Sequence, residues 1–287
     1  MKRDYGRRCA LSVKRAVALT APVALVVLAG CNGGDDKKWW NQSKAEAPKS
    51  AIEVAGQSVS VEGVDGEVDV LLLSPSSASI DSISGFMGKM KTAELKEAAP
   101  GAYVAFGDQL SLLSGTVTDL SGNGAYAIGK WTNGSDSSGA TYNRNQARFW
   151  AVGRPVDVEL KPGASMHCTV ASKTQPVAMD GNTAPGTLLD ASAEIRRISD
   201  QDSAEMTLSL RYSIGQDQQT VTLESMPGAY TSRQREASHN GAQRSERYAV
   251  ASRFIGRDPL KPYLAASYTL HSPTAGVISG MVALSCS

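Results

Sequence analysis

The residue types most able to do chemistry are few and scattered. His167, His239 and His271 are the only histidines, and they fall in three separate segments. No His-x-x-x-His or Cys-x-x-Cys spacing occurs, so the chain offers no ligand set for zinc. His167 stands beside Cys168, which suggests a metal site or a thiol with its base. A strand, however, sends adjacent residues to opposite faces. No Gly-x-Ser-x-Gly elbow and no Ser-x-x-Lys occurs, so a serine nucleophile has no local frame. Gly122-Asn123-Gly124-Ala125-Tyr126-Ala127 fits the letters of a dinucleotide fingerprint, but Tyr126, Ile128 and Trp131 favour a strand where a helix must follow. Asp200 and Asp202 read as turn residues. The expectation is a non-enzymatic protein with no catalytic residue, no metal and no cofactor.

Cys31 is the exception. Lys2, Arg3, Arg7, Arg8, Lys14 and Arg15 form a basic head, and Ala16 to Gly30 carries no charge. A basic head before a short apolar core is the signal-peptide pattern. The segment ends Leu28-Ala29-Gly30-Cys31, which resembles the lipobox of bacterial lipoproteins. That resemblance implies cleavage before Cys31 and lipid on its thiol and new amino terminus. Two acyl signals make a durable membrane anchor. Asn32 stands where enteric bacteria place aspartate to retain lipoproteins at the inner membrane. By that analogy the location is the cell envelope, at the periplasmic or surface face of the outer membrane.

Loss of residues 1–30 changes the charge. The whole chain of 287 residues has 29 basic and 28 acidic side chains, and its first thirty residues hold six of the former and one of the latter. A chain beginning at Cys31 is therefore mildly acidic, which argues against a nucleic-acid partner. Residues 31–50, with Gly33-Gly34, Asp35-Asp36, Lys37-Lys38 and Trp39-Trp40, show no apolar period and read as a lipidated tether. Cys168 and Cys286 remain, both in strand-like runs and in a compartment that permits disulfides. They are expected to pair, with two buried free thiols as the alternative.

The elements that must position these residues read as strands. One helix is expected, from about Ile83 to Ala98, because Phe86, Met90 and Leu95 sit near helical spacing and Pro100-Gly101 stops the run. It belongs to a smaller β-rich part over 51–119. From 120 to 287 short strands recur between Gly, Asn and Ser turns, which suggests an antiparallel barrel or sandwich. Met206 to Tyr212 alternates cleanly and turns at Gly215-Gln216-Asp217 into Thr220 to Leu223, a hairpin. Charges such as Glu194, Arg196 and Arg197 argue against a lipid-facing barrel. Two long polar loops are expected, Thr132 to Asn145 and Tyr230 to Arg247. The second carries Arg233, Arg235, Arg244 and Arg247, which suit a carboxylate, phosphate or sulfate on a partner.

Gly124-Ala125-Tyr126-Ala127-Ile128-Gly129-Lys130-Trp131 resembles the Gly/aromatic strand openings of surface lipoproteins of the transferrin-binding-protein-B and factor-H-binding-protein type. That resemblance covers about the last 165 residues and implies a tethered barrel, although the Cys168/Cys286 pair departs from the pattern. The expected function is recognition of a protein or anionic envelope component by loops of a lipid-anchored β domain. A structural or assembly lipoprotein and a lipocalin-like carrier of an apolar ligand are the alternatives.

Overall fold

The computed structural model describes residues 52–73, 85–198, 204–239 and 242–287, with backbone alone at 237–239 and 242–244. The signal segment, Cys31, the tether and Asp200 with Asp202 lie outside the described residues. The described residues belong to one compact unit.

Among the described residues seventeen strands form two curled sheets. The first sheet holds β1 (Ile52–Gly56), β2 (Glu67–Leu73), β3 (Met87–Lys91), β4 (Leu95–Ala99), β5 (Ala102–Phe106), β6 (Leu110–Gly122), β7 (Tyr126–Asp136) and β8 (Thr141–Gly153). Its order is β3-β2-β8-β7-β6-β5-β4, with β1 alongside β6. The β1–β6 pair is parallel and every other ladder is antiparallel. The second sheet holds β9 (Ser165–Lys173), β10 (Val177–Ala178), β11 (Thr187–Arg197), β12 (Ala204–Ile214), β13 (Asp217–Ser225), β14 (Tyr230–His239), β15 (Ala242–Ile255), β16 (Tyr263–Ser272) and β17 (Gly276–Cys286). Its order is β13-β12-β11-β9-β17-β16-β15-β14. Strands after residue 120 therefore divide between the sheets, and the change comes in 154–164.

Two sequence expectations are corrected here. The described part of the expected helix is β3, a single 3-10 turn at Thr92–Glu94, and β4. Phe86 and Met90, four apart, suit one face of a strand as well as one face of a helix. The sheet edges decide between them, because β3 completes its ladder on β2 from Glu67↔Lys91 to Leu71↔Met87. The two expected loops are also strands. Thr132 to Asn145 is the β7–β8 hairpin, and Tyr230 to Arg247 lies on β14 and β15. The dinucleotide-like letters form the β6–β7 turn, where Asn123 Oδ1 accepts from the Ala125 amide at 3.0 Å.

Each sheet wraps its own core. Trp131, Trp150, Phe106 and Tyr103 fill the first, with Tyr103 edge-on to Trp150 at 5.5 Å between ring centroids. Gly129 lies against the Trp150 indole, where a Cβ would approach within 2.4 Å. Leu208, Leu210, Tyr212, Tyr248, Tyr268, Leu264 and Val282 fill the second. Tyr268 pairs directly with Gly280, and its ring occupies the space that a Cβ there would need. A third cluster joins the two bodies. Ile128, Phe149 and Ala151 from the outside of the first sheet meet Ile255, Ala265, Met281 and Ala283 from the outside of the second. β7, β8, β16 and β17 are thus buried on both faces, and their apolar runs lack the one-sided alternation of exposed strands. Arg253 reaches across to Asp69 at 2.6 Å, and Lys130 binds Asp119 at 2.9 Å where the Gln175 amide also donates to that carboxylate.

Candidate functional site

Cys168 and Cys286 are bonded, with Cα atoms 4.0 Å apart on neighbouring strands β9 and β17. His167 and Ser287 exchange reciprocal backbone hydrogen bonds beside them. The cysteines therefore occupy the next, non-hydrogen-bonded position, where opposed side chains stand closest. His167 is exposed and Cys168 is fully buried, so the two neighbours do not meet in one site.

The four arginines gather on one hairpin. The ladder places Arg233 opposite Tyr248, Gln234 opposite Arg247, Arg235 opposite Glu246 and Ala237 opposite Arg244. Opposed residues share a face, and Tyr248 is buried in the barrel interior. Thr231, Arg233 and Arg235 thus take the face that carries apolar core residues in the other strands. Arg235 donates to Glu246 at 2.8 Å, and Glu246 is almost fully buried with His271 Nδ1 at 3.6 Å. Arg233 donates to Glu224 of β13 at 3.1 Å in an exposed pair. The structure brings these arginines to one end of the second barrel, and it commits Arg233 and Arg235 to carboxylates of the chain itself.

β13 and β14 are the two ends of the second sheet, and no ladder joins them among the described residues. Tyr248 stitches part of this seam. Its hydroxyl donates to the Glu224 carbonyl and accepts from the Glu224 amide, each at 2.9 Å. One phenol thus takes two groups that a neighbouring strand would otherwise satisfy. The seam has a cause in composition. With Thr231, Arg233 and Arg235 on its inner face, β14 has little apolar surface to pull it onto the core.

Asp217 secures the same end of the barrel. Its Oδ2 accepts from the Ser272 hydroxyl and, at 2.8 Å, from the Thr274 amide, so the start of β13 is tied to the β16–β17 turn. Burial pushes this carboxyl up, but the bonds from Ser272 and Thr274 outweigh it and hold it below the usual aspartate value. Burial pushes the phenols of Tyr212 and Tyr268 up, so both stay neutral. A depressed carboxylate stabilises the fold above its unfolded pKa and loses that contribution as pH falls through the folded one. Asp217→Asn should therefore narrow the urea-midpoint difference between neutral and acid conditions. The comparison runs from about pH 7 to pH 3, and a constant offset between variant and parent across that range would overturn the assignment.

Two surface grooves lie elsewhere. One of about 550 Å³ opens between β3 and the β4–β6 edge, with Phe86 and Met90 on its floor and Lys89 and Lys96 at its rim. The other, about 400 Å³, caps the opposite end of the second barrel, lined by Val158, Leu160, Met226, Pro227 and Phe254. Sequence reading missed both, since neither is local in the chain. It also passed over Asn240-Gly241, a strong two-residue hairpin signal between the arms of β14 and β15. Among the described residues no cluster of three His, Cys, Asp or Glu side chains is arranged to hold a metal. Comparison with protein-family models, with curated proteins and with solved structures finds no match to this chain.

Proposed function

We propose that this chain is a lipid-anchored bacterial envelope protein. In this reading Cys31 holds it to the membrane, and the hairpin bearing Arg233, Arg235, Arg244 and Arg247 recognises a protein or anionic envelope partner. The observation that supports recognition most is the filled second barrel. Tyr268 over Gly280, with Tyr212, Tyr248 and Leu208 around it, occupies the interior where a carrier would hold its cargo. That favours surface recognition over the lipocalin-like alternative. The Cys168–Cys286 bridge supports an oxidising compartment outside the cytoplasm.

Cys31→Ala tests the anchor. The variant should move from the membrane pellet to the soluble fraction and lose label from a radioactive fatty acid. Unchanged fractionation together with unchanged labelling would sink the proposal. Protease treatment of intact cells, with cleavage of the chain followed by blot, then separates the surface face from the periplasmic one.

A further inference from the structure

Among the described residues the second sheet is a ring with one ladder missing. Antiparallel ladders run without a break from β13 round to β14, and β17 joins the end of this body to its first strand, β9. The two strands left over follow one another in the chain and run antiparallel, with only residues 226–229 between them. Strands connected so briefly ordinarily pair. The connection explains why these do not. Pro227 fixes a negative φ, and Gly228 follows with a φ of 75°. That is the pattern of a type II turn, which splays the strands leaving it.

The two edges nevertheless match. On β13 the Glu224 amide and carbonyl held by Tyr248 point away from β12, so along a regular ladder those of Thr220 and Thr222 do too. On β14 the Ala229 carbonyl accepts from the Ser252 amide, which leaves Ser232, Gln234 and Glu236 facing the seam. A three-residue loop from Pro227 to Ala229 sets these groups in register: Glu224 with Ser232, Thr222 with Gln234, Thr220 with Glu236. No like charges oppose one another in that register, and the Met226 amide already lies 3.4 Å from the Thr231 hydroxyl. The Tyr248 phenol stands at Glu224 where the Ser232 backbone would lie.

We propose that the β14–β15 ribbon is a strap poised to close, with Tyr248 as the wedge that holds it open. When the phenol leaves Glu224, β14 zips onto β13 and the second barrel becomes a closed ring. Closure removes both free edges. The strap needs no partner, so failure of the recognition reading would leave it untouched.

Relaxation dispersion of backbone amides on the full chain tests this, because it reads motion on the microsecond-to-millisecond scale. Thr222, Glu224, Ser232 and Gln234 should move with one common rate, the zipped state being a minor population. Tyr248→Phe should raise that population roughly tenfold, about the worth of one hydrogen bond. Gly228→Asp with Ala229→Gly supplies the zipped reference. It gives Pro-Asp-Gly, with glycine at the left-handed position that a three-residue hairpin loop requires. In this variant hydrogen exchange at Thr222, Ser232 and Gln234 should slow by roughly tenfold or more, equally at every protein concentration. If the turn variant does not fold, Tyr248→Phe carries the test by itself. Flat dispersion at the four amides in both parent and Tyr248→Phe overturns the proposal. So do amides of Thr222, Ser232 and Gln234 that are already slow in the parent, exchange that stays fast in the folded turn variant, and slowing that grows with protein concentration.

Discussion

Arg148→Ala is expected to destabilise the protein by about 3–5 kcal/mol. Arg148 Nε lies 2.8 Å from Asp136 Oδ2, and the Asp136 side chain has no exposed surface. Ser138 donates to the same carboxylate through its amide at 2.9 Å and through its hydroxyl. Removing the guanidinium leaves a buried carboxylate with those neutral donors alone, and the desolvation of an unpaired charge is the largest single penalty available here. Burial works against the charge on Arg148, and Asp136 is the main group that offsets it. The pair is therefore not a large net stabiliser, although breaking it is costly. Replacing both partners with apolar residues of similar volume should restore much of the loss. Urea unfolding of the single and double variants measures this. A single-variant loss under about 1 kcal/mol would show that the hairpin relaxes to let water reach Asp136.

Replacing Cys168 and Cys286 together with alanine should cost roughly 4–5 kcal/mol by the chain-entropy argument. The bridge closes a separation of 118 residues. For a chain of this size that corresponds to a fall in Tm of roughly 7–10 °C. The loss should concentrate in the unfolded state, because Cys286 already sits in a ladder with β9 and β16 neighbours around it. Thermal unfolding with and without reductant separates the bond from the side chains. Reductant should lower the parent's Tm and leave the double variant's unchanged. A parent that ignores reductant at temperatures where the barrel opens would argue that the bridge contributes little.

The parts legible in the sequence are those where apolar periodicity and exposure agree. Met206 to Tyr212 has its apolar residues buried and its polar ones less so, and it turns into β13 where Gly215 allows a positive φ of 57°. The cysteine pairing was legible because both cysteines sit in strand-like runs. The hairpins at 132–145 and 230–247 were not, because their inward positions are polar. Asp136, Arg148 and Glu246 are buried as ion-pair partners, and no hydrophobicity pattern marks a buried charge. The strands β3 and β4 were hidden for the opposite reason. Phe86 and Met90 fit two periods, and only the ladder to β2, distant in space from any local signal, chooses between them. The interface between the bodies escaped because Ile128, Ala151, Ala265 and Ala283 lie between inward residues in runs that are apolar throughout, so alternation cannot say which face is which.

β17 has a consequence for timing. It follows every other described strand in sequence, yet it stands in the middle of the second sheet between β9 and β16, and β10 pairs with it as well. The first sheet needs nothing beyond Gly153 for its ladders, so it can form while the rest is still being made. The second body cannot assemble its wall until the eleven residues of β17 are available. Its earlier strands wait, and the pairing that completes them is long-range and slow to find. The second body is thus closed by a segment that leaves the ribosome after all its partner strands.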